Sequence, residues 1–147
     1  MKTCTFFGHS DAPSDILDKL YLILEDLIVN KDVGCFLVGN QGAFDRTVLR
    51  TLRLLKVDYP HILYSVVIPY LTYKENEYYS ENETVFPGIL DTCPEKFSID
   101  RRNKWMIKES DYVVCYIKYD FSRSAQYMEM AKRRKKTVIN LAPSAFD

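Results

Sequence analysis

The chain has 147 residues, 47% hydrophobic and 27% charged, with 20 basic residues balancing 20 acidic ones to a net charge of zero. That length lets a fold bury roughly 70% of the surface its unfolded form exposes, so a single domain over residues 1–147 is expected. Balanced charge argues against general nucleic-acid binding, which draws on a basic face and counterion release, but it leaves room for a local anion site.

The predicted elements alternate along the chain. Thr3 to Phe7 reads as a short strand ending at Gly8. Pro13, Ser14 and Asp15 then signal a helix start, with proline near the first turn and an acidic residue beside the positive dipole end. Leu17, Leu20, Leu24, Leu27 and Ile28 follow helical spacing as far as Asn30. Val33 to Val38 is a continuous apolar run, as expected of a strand covered on both faces. Phe44 to Lys56 is helical again, with Val48, Leu52 and Leu55 on one face, and Ile62 to Ile68 is a third strand closed by Pro69.

Residues 69–98 break the rhythm. Tyr70, Tyr73, Tyr78 and Tyr79 alternate with Glu75, Glu77, Glu81 and Glu83, and Pro87-Gly88 and Cys93-Pro94 are turn signals. Such a long aperiodic insertion is a surface excursion packed down by its tyrosines, a gate, or a subunit contact. A short helix from Arg101 to Ser110 leads into a fourth strand, Tyr112 to Ile117. A helix over Ala125 to Lys135 and a short strand over Thr137 to Leu141 complete the chain.

This alternation predicts an α/β, doubly wound parallel sheet in three layers, with strand order 3-2-1-4-5, because parallel strands need crossovers. The topological switch then falls between the first and fourth strands. Gly8, His9 and Ser10 would meet Ser122, Arg123 and Ser124 there, with Gly39 and Asn40 alongside, in the crevice where such folds bind ligands.

No apolar run reaches ~18 residues, which argues against a membrane span. The N-terminus lacks the apolar stretch and small-residue cleavage site of a signal peptide, so a cytoplasmic protein is expected. Cys4, Cys35, Cys93 and Cys115 form no C-x-x-C pair, and three of them sit in predicted strands as small buried hydrophobes. Neither a metal nor a cofactor is expected.

Gly8, Gly39 and Gly42 end two successive strands where helices begin, so free N–H groups and helix dipoles converge on one spot. Arg102 lies on a helix running into a buried strand, which gives it an anionic target near the strand ends. Asn103 beside it is a weaker candidate. Ser10 and Asn40 suit hydrogen bonds to a ribose or phosphate, or serve as turn and cap residues. His9 stands as a ligand-facing donor or a turn residue. Asp45 stands as a ribose ligand or a carboxylate favouring the positive end of a helix. The run Lys132–Lys136 offsets a helix dipole at its C-terminal end, and Trp105 reads as a core or loop anchor.

These segments in this order resemble the SLOG superfamily, the Rossmann-like group named for DprA and the LOG enzymes, and above all its small stand-alone bacterial members. Phe7-Gly8-His9-Ser10-Asp11 is similar to the family's first strand ending, and Val38-Gly39-Asn40-Gln41-Gly42-Ala43-Phe44-Asp45 to its glycine-rich turn. Arg102, Met106, Ser110 and Asp111 fit the register of the LOG arginine motif. That resemblance implies a catalytic pair of Arg102 and Glu129, and puts Ser122 and Arg123 where LOG enzymes carry paired glycines. An arginine there crowds or replaces backbone contact with a phosphate while supplying charge of its own.

The expected function is binding of a nucleotide or nucleotide-derived molecule as a sensor or carrier. The alternatives are N-glycosidic hydrolysis of nucleoside 5′-monophosphates, DprA-like binding of single-stranded DNA, and a structural interaction protein. Zero net charge and the acidic insertion speak against nucleic acid as a partner. A homodimer fits either ligand binding or an interaction role.

Overall fold

The computed structural model describes residues 1–71 and 78–143, so Tyr73, Glu75 and Glu77 of the insertion lie outside the described residues. In chain order the elements are β1 (Lys2–Gly8), α1 (Leu17–Asn30), β2 (Val33–Val38), α2 (Gly42–Asp58) and β3 (Leu63–Val67). They are followed by β4 (Thr84–Val85), α3 (Glu95–Glu109), β5 (Tyr112–Tyr116), α4 (Arg123–Arg133) and β6 (Thr137–Asn140). One six-stranded sheet runs β4-β3-β2-β1-β5-β6, and each pairing is parallel. The predicted order is present with one addition, the two-residue edge strand β4 contributed by the insertion.

Alternation along the central strands creates two cores. Cys4 and Phe6 of β1 and Val114 and Tyr116 of β5 face Leu20 and Leu24 of α1 and Val48 and Leu52 of α2. Phe7, Val113 and Cys115 face the other way, against Met106 and Ile107 of α3 and Met128 of α4. Successive strand residues point to opposite faces, so both faces are apolar and each carries two helices. Helix α1 buries Leu20, Leu24, Leu27 and Ile28, the stripe its spacing predicts.

Helix α3 begins at Glu95, six residues before the predicted start. Its inward face holds Ser98, Arg102 and Asn103 besides Met106 and Ile107, so its first turns show no apolar period. Pro94, with extended backbone, sets its N-terminal end.

The tail of the insertion is pinned to the body. Arg53 of α2 donates to both Glu83 oxygens, Nε to Oε2 at 2.9 Å and Nη2 to Oε1 at 2.7 Å, and Nη2 also donates to the Tyr78 carbonyl at 2.6 Å. Tyr64 of β3 donates its hydroxyl to Glu83 Oε2 at 2.7 Å. Glu83 also closes a capping box with Ser80. Among the described residues no helix is long and apolar enough to cross a membrane, and no cluster of three His, Cys, Asp or Glu side chains could hold a metal ion.

Candidate functional site

A crevice of about 830 Å³ opens at the C-terminal ends of β1, β2 and β5. The sheet order dictates its position, because the chain leaves β1 and β5 toward opposite faces. Gly8 pairs with Tyr116 across the switch, and Ser124 Oγ donates to the Gly8 carbonyl at 2.9 Å. The first and fourth predicted strands thus bring their loops together as expected.

Arg102 forms the crevice floor and is only 2% exposed. Its Nε donates to Asn103 Oδ1 at 2.8 Å, while Nη1 donates to Asn40 Oδ1 at 2.9 Å and to the Val67 carbonyl at 2.7 Å. Burial lowers its pKa and Asp45 opposes that shift. A guanidinium starts so high that it stays cationic at any ordinary pH. These bonds use Nε and Nη1, and the guanidinium lines the crevice as a buried cation.

Asp45 lies beside it in the first turn of α2, buried, with Oδ2 accepting from Gln41 N at 2.9 Å. Desolvation pushes its carboxyl up to about 6, against the pull of that N–H and of Arg102. The carboxylate occupies the positive end of α2, and Ala43 N donates to the Ser10 carbonyl at 2.9 Å. Helix α2 therefore spends part of its N-terminal polarity on its own residues, where an open phosphate cradle was expected.

The glycines divide by role. A Cβ on Gly39 would stand 2.8 Å from Asp45 Oδ2 and 3.4 Å from Arg102 Cζ, so its bare backbone keeps the crevice floor open. A Cβ on Gly8 would lie 2.3 Å from the Phe44 ring, so this glycine, although it lines the crevice, is required for packing against α2. Gly42 has φ +85° and sits against Ser10 Cα, outside the crevice lining.

His9 is buried, and its Nε2 accepts from Lys118 N at 2.8 Å and Tyr119 N at 3.4 Å. That acceptor role requires a neutral ring protonated on Nδ1. Burial, assisted by Lys118, lowers its pKa against the opposing pull of Asp11. It pins the loop after β5. Asn40 holds Arg102 and donates to Tyr79 Oη at 3.3 Å, joining the crevice floor to the insertion.

Ser122 caps α4, accepting from Ala125 N at 3.1 Å, and Arg123 stands exposed at the crevice wall. Glu129 is elsewhere. It is exposed on α4, pairs with Lys132 at 3.3 Å and does not line the crevice. It sits nearly two turns into α4, and the crevice lining does not include it, although the LOG register implies a place near the ligand.

Sequence reasoning missed Lys96 and Phe97, which reach the crevice from the unforeseen first turn of α3, and Asp100 and Tyr127, joined at 2.7 Å. It also missed a row of rings climbing out of the crevice. His9 and Tyr119 lie 4.8 Å apart, and Tyr119 and Phe121 stack at 5.5 Å and 26°. Tyr119 is 45% exposed and Phe121 80%. Their signal was available: aromatics in the loop directly after a strand at the predicted switch point.

No protein-family model matches the sequence, and no curated protein matches it. A solved structure does match: DNA processing protein A of Helicobacter pylori, with its single-stranded DNA binding mode, at a TM-score of 0.66 and 15% identity. The match covers 98% of this chain and 66% of that one. The fold is DprA-like.

That likeness overturns one expectation. A protein with this fold binds single-stranded DNA, so zero net charge does not remove nucleic acid from the partners of such a scaffold. The physical reason is local. Net charge is a sum over the whole surface and describes no single patch: this crevice sets Lys96, Arg102 and Arg123 beside Asp11, Asp45 and Asp100, so each cation acts by its own position.

Proposed function

We propose that this protein binds single-stranded nucleic acid, with the strand entering the crevice between Arg123 and the Tyr119–Phe121 ring pair. The exposed stack of Tyr119 on Phe121 beside Arg123 carries this reading. Rings offer bases a sequence-tolerant platform, and neighbouring cations track the backbone. The likeness to a DNA processing protein supports it. Fluorescence anisotropy with a labelled oligothymidylate across a salt series tests it. Affinity is expected to fall steeply with salt, and Phe121→Ala to weaken binding roughly 5- to 150-fold, the equivalent of ~1–3 kcal/mol per stacked base. Binding that is absent at low salt would defeat the proposal.

A second reading is a mononucleotide seated wholly within the crevice. Its support is the buried Arg102 guanidinium lining a space of about 830 Å³. Small-molecule sites run to roughly 300–1,000 Å³. Thermal shift with nucleoside monophosphates separates the two, since a ligand at ~100 times its Kd adds about 2.7 kcal/mol. Hydrolysis finds no support at Glu129, because that carboxylate lies outside the crevice.

A further inference from the structure

Helix α4 starts at the crevice with Arg123 and ends, about 16 Å away, in a run of five cations from Lys132 to Lys136. Lys132 is neutralised by Glu129. Arg133, Arg134, Lys135 and Lys136 have no carboxylate partner among the described residues, and the first three are exposed. Lys136 Nζ reaches the Lys108 carbonyl at 3.5 Å, which adds the exposed Lys108 of α3 to the same corner. Glu109 and Asp111 are the nearby acids in sequence, and Asp111 is committed to Thr3 N at 3.0 Å.

A helix dipole does not account for this density. Its effect is ~0.3–1 kcal/mol and fades within the last turn, which Lys132 and Arg133 already occupy. Further like charges repel one another, so Arg134, Lys135 and Lys136 oppose the fold rather than support it. Lys135 even adopts φ +61°, a left-handed conformation that an asparagine or glycine would hold with less strain. In a chain of zero net charge, four consecutive cations without a carboxylate partner among the described residues stand at this corner.

The path to that corner is continuous. Arg123, Gln126, Met130 and Arg133 are spaced i, i+3, i+7 and i+10, forming one stripe opposite the buried Ala125, Met128 and Ala131. Glu129 flanks the stripe one turn before Arg133 and is paired with Lys132 at 3.3 Å.

We propose that Arg133, Arg134 and Lys135 form a second contact for a single strand that leaves the crevice at Arg123 and follows the outward stripe of α4. This rests on the crevice reading above and extends the interface from one nucleotide pocket to a track.

Anisotropy with labelled oligothymidylates of roughly 6 and roughly 20 nucleotides, over a salt series, tests it. In the variant Arg133→Gln/Arg134→Gln/Lys135→Asn, the log K versus log salt slope for the long strand should drop by about 2, at ~0.7 per lost phosphate contact. The short strand's Kd should stay unchanged. Arg134→Glu alone should weaken the long strand and spare the short one. An unchanged long-strand slope overturns the inference and leaves the crevice reading standing. A variant that loses a blunt duplex of equal length but keeps the long single strand also overturns it, assigning the corner to duplex. If neither strand binds the wild type, the crevice reading falls, and the inference with it.

Discussion

Asp45 and Arg102 both press against Gly39, yet no ion pair joins them; a Cβ on that glycine would come within 2.8 Å of Asp45 Oδ2 and 3.4 Å of Arg102 Cζ. A buried carboxyl and a buried guanidinium thus share a crevice floor while each is held by other partners. An anion arriving at Arg102 meets a neighbour whose charge depends on pH.

Asp45 titrates near 6 in the fold, against an ordinary value of 3.8. A carboxyl with a raised folded-state pKa holds its proton more tightly when native. Its stabilisation is full below about pH 4 and is lost as pH rises through about 6, amounting to roughly 3 kcal/mol at most. Melting temperatures of wild type and Asp45→Asn should therefore diverge with pH, the variant gaining relative to wild type between pH 4 and pH 7. A constant difference across that range would contradict the assignment. Crevice affinity for an anion should strengthen as pH falls through 6 in the wild type and stay flat in the variant.

His9 carries the opposite sign. Its pKa is lowered from 6.5, so its contribution is present above that value and is lost as pH falls through the folded-state pKa. Protonating Nε2 would remove the acceptor for Lys118 N. An imidazole NMR titration should give a midpoint below 6.5 and the Nδ1–H tautomer at neutral pH; a midpoint above 6.5 would remove His9 as the pin of that loop.

Arg102 and Arg123 should separate stability from binding. Arg102→Met leaves the Val67 carbonyl and Asn40 Oδ1 without their donor, at a cost of roughly 2–4 kcal/mol alongside lost binding. Arg123→Gln, on an exposed side chain, should weaken strand binding while changing stability by less than about 0.5 kcal/mol. Urea unfolding and anisotropy on the same pair provide the comparison.

Gly8→Ala should destabilise through the ring of Phe44, which a new Cβ would meet at 2.3 Å, by about 1–3 kcal/mol. Phe44→Leu should recover part of that loss in the double variant. Additive effects of the two substitutions would show that Gly8 is needed for something other than this packing.

Glu83 has its pKa lowered to about 2, chiefly by the Arg53 hydrogen bonds and against the effect of burial. A depressed carboxylate contributes stability above its ordinary value near 4.5, and loses it as pH falls toward 2. Glu83→Gln should cost about 2–3 kcal/mol at neutral pH and flatten the acid limb of the stability curve.

The sheet order was legible because β1, β2, β3 and β5 are apolar runs broken by helical spacing, and two packed faces leave little choice of arrangement. Strand β4 was not, since two residues in an acidic insertion have no period to read. The start of α3 was hidden because its inward positions are Ser98, Arg102 and Asn103, polar side chains in a buried stripe. At the site, Arg102, His9, Gly8 and Gly39 line the crevice while Gly42 does not, and none of their partners was legible. That Gly8 packs on Phe44 and His9 accepts backbone N–H groups depends on contacts across 36 and 109 residues of chain, which local pattern does not encode. Glu129 followed family register onto a helix face that turns to solvent.

The short strand β4 has a bearing on solubility. Strand β3 would otherwise end the sheet, with the backbone groups at Val66 and Val67 open to a strand from another molecule. Two residues suffice to occupy those groups, and they stay there because Arg53 and Tyr64 hold Glu83 next door. Losing that clamp would do more than soften the fold: it would uncover an adhesive border, and chains would stack edge to edge before they unfolded.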